Sequence, residues 1–343
     1  MEKSVFVIIP NYNGADELAA SIESILKQTL QNLKLIIVDN GSVDDSRKII
    51  ERYEKRDDRV EKIYSDKNYG FTGGVNPGFV KAMEAGAEFV APFNNDAIAD
   101  PHWLEELVNY LKKHPECAIA ACSLQSIKGD HYDSTGDMYT VWGLPFPRGR
   151  GESTNGQFDK QRHIFGASGG ASVYRVECLH EIGIYDQDFF AYYEDIDISF
   201  RAQLAGWKVA FVPSAIVYHA YNTTSSKIKG FTTYQSIKNL PFVVIKDVPA
   251  RLLPTVAPRF LLAYSFFIFR AFSRGQGYWA LKGLGRSLVL LPKKCIERYR
   301  IQKNRKVPVP YIYEILTHDL PPNAHKLRTL RTAWRKLVPR GNA

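Results

Sequence analysis

Four apolar runs, at residues 5–9, 33–38, 60–64 and 89–93, alternate with stretches of helical spacing, and each is followed by a polar cluster. Leu18, Ile22, Ile25 and Leu26 recur at helical intervals across 16–30. A second helix runs through Ile49 and Tyr53, with Ser42 or Asp44 as its cap, and a third covers 79–87. Strand–helix alternation of this kind calls for a parallel sheet covered on both faces, which binds ligands at the carboxyl ends of its strands. The polar clusters at 10–14, 39–46, 68–78 and 94–96 all fall at those ends. Their coincidence locates a site before any motif is considered.

Beyond the fourth run, residues 125–163 are rich in Gly, Asp, Ser and Pro and read as a variable excursion beside the site. Order resumes at Ile164, passes through an acidic helix near 195, and reaches paired strands at 209–212 and 215–218. After Thr223 the pattern turns helical, apolar and basic. Residues 251–343 carry 19 Lys and Arg against 3 Asp and Glu, whereas residues 1–250 carry 26 against 33. A mildly acidic body joined to a strongly basic tail points to a catalytic unit whose tail meets a polyanion. The acidic start at Glu2, with no cleavage-site pattern, argues against a secretory signal. Cys117, Cys122, Cys178 and Cys295 match no zinc or redox spacing and read as reduced core thiols of a cytosolic protein.

Five motifs carry chemistry, and each has a plainer structural alternative. Asp39, at a strand end, either starts an Asx turn or accepts the imino N–H of a pyrimidine. The glycine-dense stretch 68–78 lets backbone approach a phosphate, or merely connects. It is neither a Walker loop nor the dinucleotide fingerprint. Asp96 either caps the helix that follows or binds a hard divalent cation. Glu194, Asp195 and Asp197 crowd one helix start, where Ile196, Phe200 and Leu204 mark the core face and Asp195 and Asp197 point away from it. A carboxylate there serves as general base or simply complements the helix dipole. His219 is either a satisfied structural imidazole or a nitrogen donor completing a metal site with Asp96.

In order along residues 4–222, these motifs resemble family 2 glycosyltransferases of the GT-A fold, in particular a bacterial rhamnosyltransferase-like branch. The quoted matches are residues 7–14 (VIIPNYNG), 37–42 (IVDNGS), 68–74 (NYGFTGG), 94–96 (NND), 193–198 (YEDIDI), Gly206-Trp207 and Tyr218-His219. The resemblance implies a GT-A-type α/β fold, doubly wound on a mostly parallel sheet, with a basic helical C-terminal extension. The catalytic domain would span 1–222, with a nucleotide-sugar half at about 1–100 and an acceptor half at about 101–222; the extension would cover 223–343. It also implies that Asp39 contacts the base beside Pro10, Asn11 and Asn13. Asn68, Gly70, Phe71, Gly73, Gly74 and Asn76 would hold nucleotide and sugar. Asp96 and His219 would bind Mn²⁺ or Mg²⁺, with Asn94 standing where a first Asp often stands. Asp195 would be the catalytic base of an inverting transfer. The donor implied is a nucleoside-diphosphate sugar, with dTDP-rhamnose favoured and UDP-sugars open. The acceptor is a glycan or lipid-linked hydroxyl in surface polysaccharide synthesis.

Residues 260–269 form an apolar stretch between Arg259 and Arg270, too short to cross a bilayer, which needs about 20 residues. With the apolar run at 281–291 and the basic run at 293–306, it reads as interfacial helices on the cytoplasmic leaflet of the plasma membrane. Helices packing on the catalytic body are the alternative. No nucleic-acid module is recognisable, so nucleic acid is not an expected partner. Two other classes compete: a nucleotidyltransferase, which would carry a basic phosphate loop after the first strand, and a non-catalytic adaptor, which would have lost Asp96 or Asp195.

Overall fold

The computed structural model describes residues 5–160, 163–219, 228–322 and 324. Strand–helix units open the chain: β1 (Val5–Asn11), α1 (Ala15–Leu26), β2 (Leu33–Asp39), α2 (Ser46–Arg56), β3 (Val60–Tyr64), α3 (Gly70–Glu84) and β4 (Phe89–Pro92). Then come β5 (Ala97–Ala99), α4 (Trp103–Lys113), the long β6 (Cys117–Ser126), and the short β7 (Tyr132–Ser134), β8 (Asp137–Tyr139), β9 (Pro145–Pro147) and β10 (His163–Ile164). β11 (Ser172–Arg175), α5 (Val176–Ile182), α6 (Glu194–Leu204) and β12 (Lys208–His219) complete the main sheet. Among the described residues, α7 (Phe231–Asp247), α8 (Leu253–Ser273), α9 (Gly277–Lys303) and α10 (Val309–Ile315) follow.

The sheet runs β10-β12-β6-β11-β4-β1-β2-β3, with β5 on β12 and β7 on β6. Strands β1 to β4 pair in parallel, as do β6 and β12, while β11 lies antiparallel between β4 and β6. The β1 side chains alternate as a doubly covered strand requires. Val5, Val7 and Ile9 join Leu18, Ile22, Ile50 and Trp103 in the layer of α1, α2 and α4. Phe6 and Ile8 join Phe79, Ala82, Leu179 and Ile198 in the layer of α3, α5 and α6. The opposite face of α6, with Ile196, Phe200 and Leu204, packs on Ile237, Leu240 and Val244 of α7. The core stripe read from the spacing is therefore the seam between the sheet and the C-terminal helices.

Several local expectations are revised. The glycine stretch is not a loop preceding a helix at 79–87, because α3 already begins at Gly70. A Cβ on Gly74 would come within 2.8 Å of Pro10, and one on Gly78 within 2.7 Å of Ile8, so the glycines let α3 lie close on β1. The paired strands at 209–212 and 215–218 are one strand, β12, with a bulge between Val212 and Ile216 where Pro213 cannot donate to the ladder. Ser42 does not cap α2; its hydroxyl accepts from the Asn13 N–H (2.9 Å), while Asp44 accepts from Ser46 N–H and Ala15 N–H and ties the starts of α2 and α1 together. Cys295 is exposed, unlike the three buried thiols. α8 continues helically through Arg259, so the apolar segment is longer than the charges suggested. The expected boundary at 222–223 and the basic end at 325–343 lie outside the described residues.

Candidate active site

A cavity of about 430 Å³ opens at the carboxyl ends of β1, β4 and β12, in the size range of small-molecule sites. Pro10, Asn11 and Asn40 line its floor, and Asn94, Asn95 and Asp96 enter from the turn after β4. His219 enters at the end of β12, and Glu194 and Asp195 enter at the start of α6. Asn95 Nδ2 donates to Asn11 Oδ1 at 2.8 Å, and the Asn94 N–H donates to Gly170 O at 2.8 Å. The turn after β4 is thereby fastened to both neighbouring strand ends.

His219 links three of these groups. Its Nε2 lies 3.1 Å from Asp96 Oδ1 and 3.2 Å from Asn94 Nδ2, and its Nδ1 lies 3.1 Å from Asp133 Oδ2. Burial alone would lower the imidazole pKa, but the bonds to Asp133 and Asp96 outweigh it and raise the pKa to about 9. Asp133 in turn pairs with Arg150 at 3.0 Å. Once an incoming cation displaces the ring proton, an oxygen donor and an imidazole nitrogen at this spacing, with the second ring nitrogen held by a carboxylate, make a donor set that suits Mn²⁺ or Mg²⁺.

Three carboxylates face the cavity on the other side. Asp195 accepts the Gly169 N–H at 3.2 Å and the Ile196 N–H at 2.9 Å. Its pKa is raised by burial, and those bonds hold it back. Glu194 and Asp137 are pushed well above the carboxylate range by burial first and the Asp195 charge second. Glu194 Oε2 has no donor among the described residues. Asp195 is thus the acid best supplied with donors for its charged form, and its raised pKa suits proton abstraction. Asp197 points elsewhere, contrary to the helical reading: it is fully buried, bound by Arg201 (2.8 Å) and Lys246 (2.5 Å).

Of the other residues expected at the site, Asn68, Gly70 and Phe71 line the cavity, whereas Asn13, Asp39, Gly73, Gly74 and Asn76 do not. Asp39 is buried beneath it, with Oδ2 paired to Arg47 Nε at 2.8 Å and Oδ1 without a donor among the described residues. Asn13 Oδ1 accepts from the Val43 N–H, and Asn76 Nδ2 donates to Tyr185 O. The start of α3 is also not open to an anion along its whole first turn. Asn40 takes the Tyr69 N–H, Asn68 takes the Gly70 N–H, and Phe190 O takes the Thr72 N–H.

The loop leading into Asp195 is strained. Phe190, Tyr192 and Tyr193 have φ of 64°, 71° and 72°, where a non-glycine residue costs on the order of 1–3 kcal/mol. Asn239 of α7 holds this loop, its Nδ2 donating to Phe189 O (2.9 Å), Ala191 O (2.8 Å) and Tyr192 O (2.9 Å). Below it, Asp186, Asp188 and Glu297 bring carboxylate oxygens within 4.8 Å of one another, as a metal site would. Lys294 Nζ occupies their centre, 2.6, 2.7 and 2.9 Å from the three, so a lysine ammonium already supplies the cation. Sequence reasoning missed Asp133, Asp137, Arg150, Asn239 and Lys294. The first three sit in the excursion set aside as variable, where only the repeated acids hinted at them.

Comparison with solved structures places the fold. The chain is similar to a mannosyltransferase from Pyrobaculum calidifontis in complex with GDP-Man and Mn²⁺, with TM-score 0.54 and 14% identity over 89% of this chain and 86% of that one. The sheet and its flanking helices are of the GT-A type. Residues 6–183 match the model of glycosyl transferase family 2, and the chain belongs to that family. It is 29% identical to an uncharacterized glycosyltransferase of Haemophilus influenzae, over 71% of this chain and 78% of that one. It is 24% identical to the N-acetylglucosaminyl-diphospho-decaprenol L-rhamnosyltransferase of Mycobacterium tuberculosis, over 62% of this chain and 75% of that one. The protein is a glycosyltransferase, and the nucleotidyltransferase and adaptor readings fall away.

Proposed function

We propose that the chain transfers a sugar, with inversion, from a nucleoside-diphosphate sugar to a hydroxyl of a glycan or lipid-linked acceptor in surface polysaccharide synthesis. The observation carrying this reading is the convergence of Asp96, His219 and Asp195 on one cavity at the strand ends. dTDP-rhamnose is the favoured donor, supported by the similarity to a rhamnosyltransferase, and UDP-sugars are the alternative. Residues 1–222 form the catalytic unit in this reading, and 223–343 hold it peripherally on the inner face of the plasma membrane.

Asp195 takes the proton of the acceptor hydroxyl while that oxygen attacks C1 of the sugar and the C1–diphosphate bond breaks. The Gly169 and Ile196 N–H groups keep the Asp195 carboxylate oriented for that transfer. Asp96 and His219, with Asn94 beside them, would hold a divalent cation, and Asp133 fixes the imidazole ring. When bound, that cation neutralises charge on the departing diphosphate. Asn40, Asn68, Gly70 and Phe71 line the donor side. Asp39, buried outside the cavity lining with one oxygen lacking a donor among the described residues, would take the base N–H only once a bound nucleotide exposes it beside Pro10 and Asn11.

A thermal-shift screen of nucleoside-diphosphate sugars with Mn²⁺ or Mg²⁺ tests the reading. One donor should raise the melting temperature only with metal present, and Asp96→Ala should abolish the rise. Stabilisation that survives Asp96→Ala unchanged would remove Asp96 from the metal site.

A further inference from the structure

The C-terminal helices bury one face and leave another apolar face in water. α8 packs Val256, Phe260, Ala263 and Tyr264 inward, yet Leu261, Leu262, Phe269 and Phe272 are 51–69% exposed and share one arc of about 100° around the helix. On α9, Tyr278, Leu281, Leu288, Val289, Ile296 and Tyr299 are 55–69% exposed and likewise share an arc of about 100°. Such stripes are longer than the scattered apolar residues normal on a soluble surface. Counting 100° per residue, Lys282, Arg286, Lys293 and Arg300 follow one edge of the α9 stripe, and Arg259 and Arg270 follow one edge of the α8 stripe. Arg270, Arg274, Lys282, Arg286, Arg300 and Lys303 have no carboxylate partner among the described residues. The helix spanning Ala250–Ser273 is long and apolar enough to cross a membrane, but 28% of its most apolar window is buried on the protein, and basic residues border its exposed stripe.

The corner between α8 and α9 also sits at the rim of the cavity. Ile228 and Phe231 line the cavity mouth. A side chain on Gly230, between them, would collide with the Trp279 indole, whose neighbour Tyr278 stacks edge-on at 5.0 Å. Thr233 of α7 bonds Gln276 in the α8–α9 turn. The exposed apolar surface therefore begins where the cavity opens.

We propose that the exposed stripes of α8 and α9 form a monotopic docking face for an anionic bilayer, and that docking sets the cavity mouth at the headgroup level. This rests on the transferase reading and commits its acceptor to the lipid-borne class. Apolar side chains enter the interface while the bordering Lys and Arg meet anionic headgroups. A soluble acceptor would give no reason to keep this surface unpaired and apolar.

Flotation of the full chain with phosphatidylcholine vesicles, with and without phosphatidylglycerol, tests it. Wild type should float with the anionic vesicles and be released by alkaline carbonate. The pair Leu262→Ser with Phe269→Ser should weaken binding by about 10²-fold, the scale expected for two buried apolar side chains. The pair Lys282→Glu with Arg286→Glu should weaken it by about 10-fold or more and flatten its salt dependence. In a Cys295→Ser background, a polarity-sensitive dye on Tyr278→Cys should shift to the blue on vesicle binding, while one on Lys48→Cys should not. Unchanged binding by the apolar pair, no binding by wild type, or resistance to carbonate overturns the proposal, the last by making α8 a span. Donor-induced thermal stabilisation, measured on every variant, reports the site separately. Its absence from wild type would sink the transferase reading and leave vesicle binding untouched.

Discussion

The β1–α4 region and the α6–α9 region hold themselves together by different physics. In the first, apolar residues alternate across β1 and β2, and helices α1 to α4 cover both faces. Each element is specified by its own short-range pattern. In the second, four charged side chains, Asp197, Arg201, Lys246 and Lys294, are buried against one another, with the partly buried Asp186 and Asp188 at the edge. Their partners lie up to 108 residues apart. Above this cluster stands the strained loop that delivers Glu194 and Asp195 to the cavity. The first region resists substitution through packing, and the second through the cost of leaving a buried charge or carbonyl unpaired. Asp195, the proposed base, is placed by the second.

Substitutions that separate these two costs sharpen the contrast. Lys294→Ala should be the most damaging, because it removes the ammonium at the centre of three acids and leaves Asp186 to Lys246 and Asp188 to Lys293; a loss of about 3–5 kcal/mol is expected in denaturant unfolding. A loss below about 1 kcal/mol would mean the cluster is solvated and the contrast is false. In the packed region, Ile37→Ala leaves a cavity under α1 and α2 and should cost about 2–5 kcal/mol with little effect on donor affinity per folded molecule. Asn239→Ala unties three loop carbonyls and should cost about 1–3 kcal/mol. Unlike Ile37→Ala, it should lower kcat in the folded fraction, since the loop bearing Asp195 relaxes. Equal kcat in the two variants would make the loop's strain incidental.

The smallest effect is a pH dependence. Burial would raise the Asp186 pKa, but Lys246 and Lys294 outweigh it and hold the carboxyl well below its usual range. A depressed folded-state pKa gives stability that is present above about pH 4 and is lost as pH falls toward the folded value. The stability gap between wild type and Asp186→Asn should therefore be widest near neutrality and close below about pH 4. A gap that widens on acidification would reverse the sign assigned to this cluster.

How much could be read from the chain follows the same division. Strand ends, Asp96 and His219 at them, and the core stripe of α6 were legible because short-range periodicity fixes each one, whereas Asp195 beside them was implied only by the family resemblance. The helical start at Gly70 was not, since glycine propensity argues for a loop and only close packing on Pro10 and Ile8 explains the helix. The burial of Asp197 was hidden because its partner Lys246 lies 49 positions on, in a segment with no motif. Asp133 and Asp137 were hidden by the irregular strands β7 and β8, which no periodic pattern announces. The amphipathic nature of the basic tail was readable, but which faces stay open depends on how α7 to α9 pack.

The central claim is that Asp195 is the base in a cavity it shares with the donor. The most direct measurement is the turnover of Asp195→Asn, with donor-induced stabilisation recorded on the same protein. The account predicts that turnover falls by about 10²-fold or more while the donor still stabilises the variant as it does wild type. Turnover close to wild type would contradict it and would return the proton to Glu194.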